Sequence, residues 1–242
     1  MIDLLLEAQG LAAWYGAAQI LFGVDLQVRR GEVVALMGRN GAGKSTTLKS
    51  VMGLVARRSG SVRFNGRDVS RLEPYQNARL GLGFAPEDRR IFTDLTVEEN
   101  LDIGRQPPRR FADGSPAPAW TPEKLFRLFP NLAEMRDRPG GRMSGGEQQM
   151  LTVARTLMGN PLLVLLDEPS EGVAPVIVEQ MASTIIELKK DGLSILLSEQ
   201  NINFAELVSD RAYVLEKGQI RWEGTMAQLA GNLDVQRTYL TV

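Results

Sequence analysis

The chain has 242 residues, which fits one large domain or one domain with an insertion. Its 28 basic and 29 acidic residues nearly balance, so we expect no nucleic-acid partner, and the absence of cysteine excludes disulfides and thiolate metal sites. The first residues lack the pattern of a signal peptide, and no apolar run is as long as a membrane span. We therefore expect a soluble cytoplasmic protein that reaches a membrane only through a partner.

Short apolar runs and one helical pattern follow each other in the first part of the chain. Strands are predicted over residues 3–9, 20–28 and 33–38. The third run is apolar throughout, which is typical of a strand buried on both faces. Helical spacing follows at Leu48, Val51, Met52 and Val55. An Asn-Gly turn then separates two strand-like pieces within residues 59–69.

Prolines and glycines interrupt the sequence from about residue 88 to residue 142. This composition predicts an inserted, small helical subdomain with an exposed loop near residues 105–121. Regular patterns then resume. They predict a helix over 147–158, a strand over 162–166, a helix around 178–190, a strand over 193–197, a hairpin over 211–224 and a last helix opened by Thr225. Strands that alternate with helices predict a mostly parallel, doubly wound α/β sheet.

The segment GRNGAGKS, residues 38–45, matches the pattern Gly-x-x-x-x-Gly-Lys-Ser between a predicted strand and a predicted helix. Such a loop turns its backbone N–H groups toward phosphate oxygens. Lys44 is then expected on the β- and γ-phosphates and Ser45 on Mg²⁺. The alternative is a glycine-rich turn with an incidental lysine. The residues predicted to contact the nucleotide here are Gly38, Asn40, Gly41, Gly43, Lys44, Ser45 and Thr46.

Asp167 and Glu168 follow the apolar strand in LLVLLDEPS, at the end where open α/β sheets bind ligands. Two adjacent carboxylates are costly there unless a cation or a proton transfer uses them. Asp167 is suited to holding Mg²⁺ through water, and Glu168 to orienting and deprotonating an attacking water. The alternative is that both are solvated in the turn before Pro169.

A second glycine motif, MSGGEQQ, occupies residues 143–149. Ser144 and Glu147 have the spacing of a capping box, which predicts a helix beginning here. The Ser-Gly-Gly sequence at a helix start also offers a second anion site. Two phosphate-type sites are more than one bound nucleotide needs.

With the phosphate loop, this motif and the acidic strand in this order, the sequence resembles the ATPase subunits of ABC transporters over essentially its whole length. The resemblance implies a P-loop NTPase fold of the ABC type, with a mostly parallel core sheet, an antiparallel β subdomain and a helical subdomain. It implies a single domain over 1–242, with a nucleotide-binding core over 1–87 and 150–242 and the helical subdomain over 88–149. It also implies that two subunits enclose ATP. Ser144, Gly145 and Gly146 would then act on the partner's γ-phosphate, and Tyr15 would stack on adenine unless it is an ordinary core aromatic.

More narrowly, residues 86–101, 167–175 and 196–201 resemble the shorter ATPase subunit of branched-chain amino-acid importers. This implies that the chain binds transmembrane permease subunits and a second, related ATPase subunit, and that it depends indirectly on a periplasmic binding protein. It also implies a peripheral location on the cytoplasmic face of the inner membrane. Three positions depart from the family pattern. Glu87 stands where the family has a glutamine that contacts Mg²⁺ and the attacking water. Ala174 stands in place of an aspartate, and Gln200 in place of the switch histidine.

Several alternatives stay open at this point. A soluble ABC-type machine acting on ribosomes or DNA ends, and a GTPase or nucleotide kinase, are the competing function classes. The solute and the homo- or heteromeric state are also open, because amino-acid, urea and amide importers have similar ATPases. Gln200 is expected to border the γ-phosphate, and the alternative is that Glu199, Gln200 and Asn201 cap the next helix.

Overall fold

The structure is a computed structural model that describes residues 4–240. Its strands are β1 (Leu4–Tyr15), β2 (Ala18–Arg29), β3 (Val33–Met37), β4 (Arg57–Phe64), β5 (Arg67–Asp68), β6 (Leu82–Ala85), β7 (Leu163–Asp167), β8 (Ser194–Glu199), β9 (Arg211–Glu216) and β10 (Gln219–Thr225). Its α-helices are α1 (Lys44–Met52), α2 (Pro74–Leu80), α3 (Val97–Gly104), α4 (Pro122–Leu128), α5 (Pro130–Ala133), α6 (Gly145–Met158), α7 (Pro175–Lys190), α8 (Ile202–Val208), α9 (Met226–Ala230) and α10 (Leu233–Val235). No helix within residues 4–240 has both the length and the apolar character needed to cross a membrane.

The central sheet has the strand order β10-β9-β3-β8-β7-β6. All neighbouring pairs are parallel except β10 with β9. Alternate residues of β3 enter different cores, since Val33 and Ala35 pack with the helices on one face and Val34 packs on the other face. The sheet is therefore buried on both faces, as the continuous apolar runs predict. The prediction of a mostly parallel α/β sheet is confirmed.

A second, antiparallel sheet has the order β2-β1-β4-β5 and shares its core with α1 and one face of the central sheet. The strands predicted over 3–9 and 20–28 are confirmed, although both are longer than predicted; residue 3 lies outside the described residues. The Asn65-Gly66 turn is confirmed, with positive φ angles of 48° and 78°.

The helix that follows the phosphate loop is shorter than its apolar spacing predicts. Helix α1 ends at Met52, because Gly53 takes the left-handed conformation, with φ 90°, and its N–H returns to the carbonyl of Ser50. Val55 is 1% exposed and packs in the same core, but from the segment after the helix. Its inclusion in the predicted helix is wrong.

The segment between α3 and α4 is anchored, although the sequence predicts an exposed loop over 105–121. Phe111 and Trp120 are buried. The Arg109 guanidinium donates to the carbonyl oxygens of Ala78, Arg79, Gly159 and Asn160. The prediction is therefore wrong for these three side chains, because the segment packs against α2 and against the residues that precede β6 and β7. The division of the chain at residues 88 and 149 stays a prediction, and α6 runs across the second of these positions.

Candidate active site

Three neighbouring strands, β3, β8 and β7, bring their carboxyl ends to the same edge of the central sheet. The phosphate-loop segment connects β3 directly to α1. Gly43 is the N-cap of α1 at φ 109°, and a Cβ there would lie 2.9 Å from Leu21 Cδ2. Only glycine fits this position, so the loop can enter the helix sharply.

A cavity of about 400 Å³ opens at this edge. It is lined by Tyr15, Ile20, Asn40, Gly41, Gly43, Lys44, Ser45, Thr46, Glu87, Glu168 and Glu171. Most of the predicted nucleotide contacts therefore lie together, with the predicted base Glu168 facing them. Gly38, Asp167, Gln200 and the Ser144–Gly146 segment are not among the residues that line this cavity.

Lys44 is almost fully buried, with 4% of its surface exposed. Its Nζ donates to the carbonyl oxygens of Gly38 at 2.8 Å and Arg39 at 3.3 Å, and it pairs with Glu168 Oε1 at 2.8 Å. Burial raises the pKa of Glu168, a hydrogen bond with Glu171 adds to the rise, and Lys44 opposes it. Glu168 is therefore a stronger base than an ordinary carboxylate, which suits proton abstraction from water.

Asp167 is 2% exposed and accepts two hydroxyl hydrogen bonds on one oxygen. Ser45 Oγ lies 2.8 Å from Asp167 Oδ1, and Ser198 Oγ lies 2.7 Å from the same atom. Within residues 4–240 no group of three or more Asp, Glu, His or Cys side chains forms a metal cluster. Mg²⁺ in nucleotide sites uses one or two carboxylates together with substrate phosphates, so the oxygen donors of Ser45 and Asp167 fit it.

Glu168 occupies an unusual backbone position directly after β7. Its φ is 48°, in the left-handed region that few side chains adopt. Its N–H is hydrogen-bonded to both the carbonyl oxygen and the Oγ of Ser198, at 3.1 and 3.2 Å. The neighbouring strand β8 thus fixes the residue predicted to act as base.

The Ser144–Glu147 capping box is confirmed at the start of α6. Ser144 Oγ accepts from the Glu147 N–H at 3.3 Å, and Glu147 Oε2 accepts from the Ser144 N–H at 2.7 Å. A Cβ on Gly146 would lie 2.7 Å from Ile177, so this helix start also needs glycine for close packing. The N-terminus of α6 does not line the cavity that contains Lys44.

The structure tests one of the two predictions made for the polar residues at the end of β8. Asn201 is the N-cap of α8 and accepts from the Phe204 N–H at 3.1 Å, so the capping alternative is confirmed for this residue. Gln200 is half-buried just after β8, and its predicted role beside the γ-phosphate stays a prediction. No individual site contact was predicted for Ser198, Glu199 or Glu171. The available signal was that polar residues follow the apolar run of the strand predicted over 193–197.

A buried lysine in a strand–loop–helix motif, opposite an acidic strand end, defines a nucleoside triphosphatase with a P-loop. Comparison with known proteins narrows this class. The family model described as "ABC transporter" matches residues 21–171. The chain belongs to the ABC transporter family and is an ATPase of the ATP-binding subunit type.

Relatives of known name cover nearly the whole chain. It is 42% identical to the high-affinity branched-chain amino acid transport ATP-binding protein BraG of Pseudomonas aeruginosa, over 98% of this chain and 99% of that protein. It is 36% identical to the lipopolysaccharide export system ATP-binding protein LptB of Haemophilus influenzae, over 98% and 97%. The crystal structure of a nucleotide-free ATP-binding cassette from an ABC transporter is 27% identical, with a TM-score of 0.79 over 96% of this chain and 97% of that one. The fold and the family resemblance inferred from the sequence are confirmed.

Proposed function

We propose that this chain is the ATP-hydrolysing subunit of an ABC importer for branched-chain or related amino acids. The observation that carries this proposal is the 42% identity to BraG across 98% of the chain. The resemblance at residues 86–101, 167–175 and 196–201 supports the same subunit type.

ATP would bind in the cavity of about 400 Å³. Lys44 would exchange its contacts with Gly38 and Glu168 for the β- and γ-phosphates, since the same Nζ already lies in the loop. Ser45 and Asp167 would hold Mg²⁺, which neutralises charge on the phosphate oxygens when it is bound. Tyr15, which is 51% exposed at the cavity wall, would stack on adenine.

Glu168 would take the proton from the attacking water. When Lys44 binds the phosphates, Glu168 loses the cation that lowers its pKa. Gln200 replaces the switch histidine and cannot accept a proton near neutral pH, and the chain has no histidine elsewhere. Proton abstraction therefore falls to Glu168, while Gln200 orients or senses phosphate and Glu87 faces the same cavity.

The second phosphate-type site requires a second subunit. Ser144, Gly145 and Gly146 form the N-terminus of α6, outside the cavity that holds Lys44. In a head-to-tail pair they would contact the γ-phosphate bound by the other subunit. We infer that this second subunit is a related, longer ATPase chain rather than a second copy.

A groove of about 460 Å³ supports the proposal that the chain binds a membrane partner. It exposes large apolar side chains at Leu54, Phe92 and Ile103, which are 46%, 48% and 54% exposed. Arg155 also lines it, and its guanidinium donates to the carbonyl oxygen of Arg90 at 2.7 Å. An apolar cytoplasmic helix of a permease fits this groove, because it would cover the three exposed apolar side chains.

The groove lies next to the cavity. Pro86 and Phe92 line the groove, while Glu87, between them in sequence, lines the nucleotide cavity. A permease helix seated here would press on the segment that carries Glu87. The subunit would then lie peripherally on the cytoplasmic face of the inner membrane, and a periplasmic binding protein would act on it only through the permease.

A second candidate is the ATPase of a lipopolysaccharide-type exporter, since the identity to LptB is 36% over 98% of the chain. The test is to isolate the chain from its native membranes in mild detergent, and to reconstitute the complex in vesicles. Import predicts that ATP hydrolysis drives uptake of labelled leucine, isoleucine or valine when a binding protein is supplied. Extraction of lipopolysaccharide without amino-acid uptake would support the export candidate, and recovery of the chain with ribosomes instead of permeases would contradict both.

A further inference from the structure

Glu199, the last residue of β8, is a buried carboxylate with no role in the proposed reaction. Its surface is 1% exposed. Burial raises its pKa to about 7, the negative charge of Glu168 adds to the rise, and hydrogen bonds from Ser170 and Asn201 oppose it. A buried carboxylate is costly, and neutral side chains would fill the same space.

The two carboxylate oxygens of Glu199 bind two different loops. Oε1 accepts from the Ser170 N–H at 3.1 Å, and Oε2 accepts from the Asn201 N–H at 3.2 Å. Ser170 belongs to the turn that carries Glu168. Asn201 is the N-cap of α8 and directly follows Gln200. Glu199 therefore joins the loop of the proposed base to the loop of the proposed phosphate sensor.

Together with Ser198, Glu199 fixes the Glu168 turn at both ends. Ser198 binds the N–H of Glu168, and Glu199 binds the N–H of Ser170, two residues further on. The intervening residue is Pro169, which has no N–H. These hydrogen bonds keep Glu168 at its left-handed φ of 48°, a conformation that persists only when its surroundings enforce it.

We propose that Glu199 is a positioning residue for ATP hydrolysis, which keeps the Glu168 carboxylate aligned with the attacking water and links its turn to the Gln200 segment. This inference rests on the proposed role of Glu168 as base. A carboxylate is needed because both partners are N–H donors. A glutamine in its place offers one oxygen and turns an NH₂ group toward the other donor.

The test compares Glu199→Gln with the wild-type protein, and with Glu206→Gln as a control on the exposed face of α8. Steady-state ATP hydrolysis is measured at pH 8 together with the melting temperature. We expect kcat to fall at least about tenfold in Glu199→Gln, because small displacements of a catalytic group are costly. We expect KM for ATP to stay within about twofold, because binding contacts are intact. The melting temperature should be equal or higher, since a desolvated charge is removed.

If Glu199 had a merely structural role, kcat and the melting temperature of Glu199→Gln would fall together, and that result would overturn the proposal. A kcat of Glu199→Gln within about twofold of wild type would also overturn it. In a Glu168→Gln background, Glu199→Gln should have no further effect on the residual rate, because it acts through Glu168. Normal turnover of Glu168→Gln alone would instead refute the proposed function. Loss of turnover in Glu168→Gln with normal turnover in Glu199→Gln would refute only the positioning role.

Discussion

The buried carboxyl of Glu199 predicts a specific dependence of stability on pH. A pKa of about 7, against an ordinary value of 4.5, corresponds to about 3 kcal/mol, since each tenfold change in proton affinity is worth about 1.4 kcal/mol. Between these two values the folded protein binds the Glu199 proton and the unfolded chain does not. The contribution is therefore complete below about pH 4.5 and is lost as the pH rises through about 7.

The variant Glu199→Gln lacks this proton-binding group and serves as the reference. Between pH 5 and pH 8, the unfolding free energy of the wild-type protein should fall by about 2.5 kcal/mol relative to that of Glu199→Gln. Glu168, whose charge also acts on Glu199, is the same in both proteins. The hydrogen bond that the variant loses shifts its curve by a constant amount and leaves the slope unchanged.

The measurement is urea unfolding followed by tryptophan fluorescence at pH 5, 6, 7 and 8. Trp120 is 2% exposed and reports on the loss of the core. If the stability curves of the two proteins stay parallel across this range, Glu199 titrates as an ordinary carboxyl. That result would refute its burial between the two loops.

Two further predictions concern nucleotide binding and the segment between α3 and α4. Tyr15→Ala should raise KM for ATP up to about tenfold with little change in kcat, because one stacking contact is lost; Tyr15→Phe should behave as wild type, and a loss of kcat in both would contradict stacking. Arg109→Gln should lower the unfolding free energy by about 2 kcal/mol in urea titrations, because four carbonyl groups, that of buried Asn160 among them, lose a charged donor. Arg110→Gln, at an exposed neighbouring position, should cost less than about 0.5 kcal/mol, and equal effects of the two changes would contradict the anchored segment.

The elements that the sequence predicts well are those whose signal is local. The run at residues 33–38 and the Asn65-Gly66 turn are encoded by neighbouring residues, and the structure has both. Val55 shows the limit, because its spacing fits a helix that Gly53 has already ended. The anchoring of Arg109 was not predictable, since its carbonyl partners lie about 30 and 50 residues away in sequence.

The candidate site also has one part that the sequence predicts and one part that it does not. The phosphate loop and the Asp167-Glu168 pair are contiguous motifs, so residue spacing alone indicates their chemistry. The contacts of Ser198 and Glu199 with the acidic turn depend on β8 lying beside β7, and periodicity does not specify strand order. What the sequence showed only as an unusual polar strand end is, in the structure, the support of the proposed base.

The direct test of Glu168 as the catalytic base is steady-state ATP hydrolysis by Glu168→Gln, with nucleotide binding measured on the same sample. Glu179→Gln, at an exposed position on α7, is the matched control. We expect Glu168→Gln to bind ATP as well as wild type or better and to hydrolyse it roughly 10²–10⁴-fold more slowly, since a positioned base contributes that much. Near-normal hydrolysis by Glu168→Gln would contradict the role of Glu168 as base.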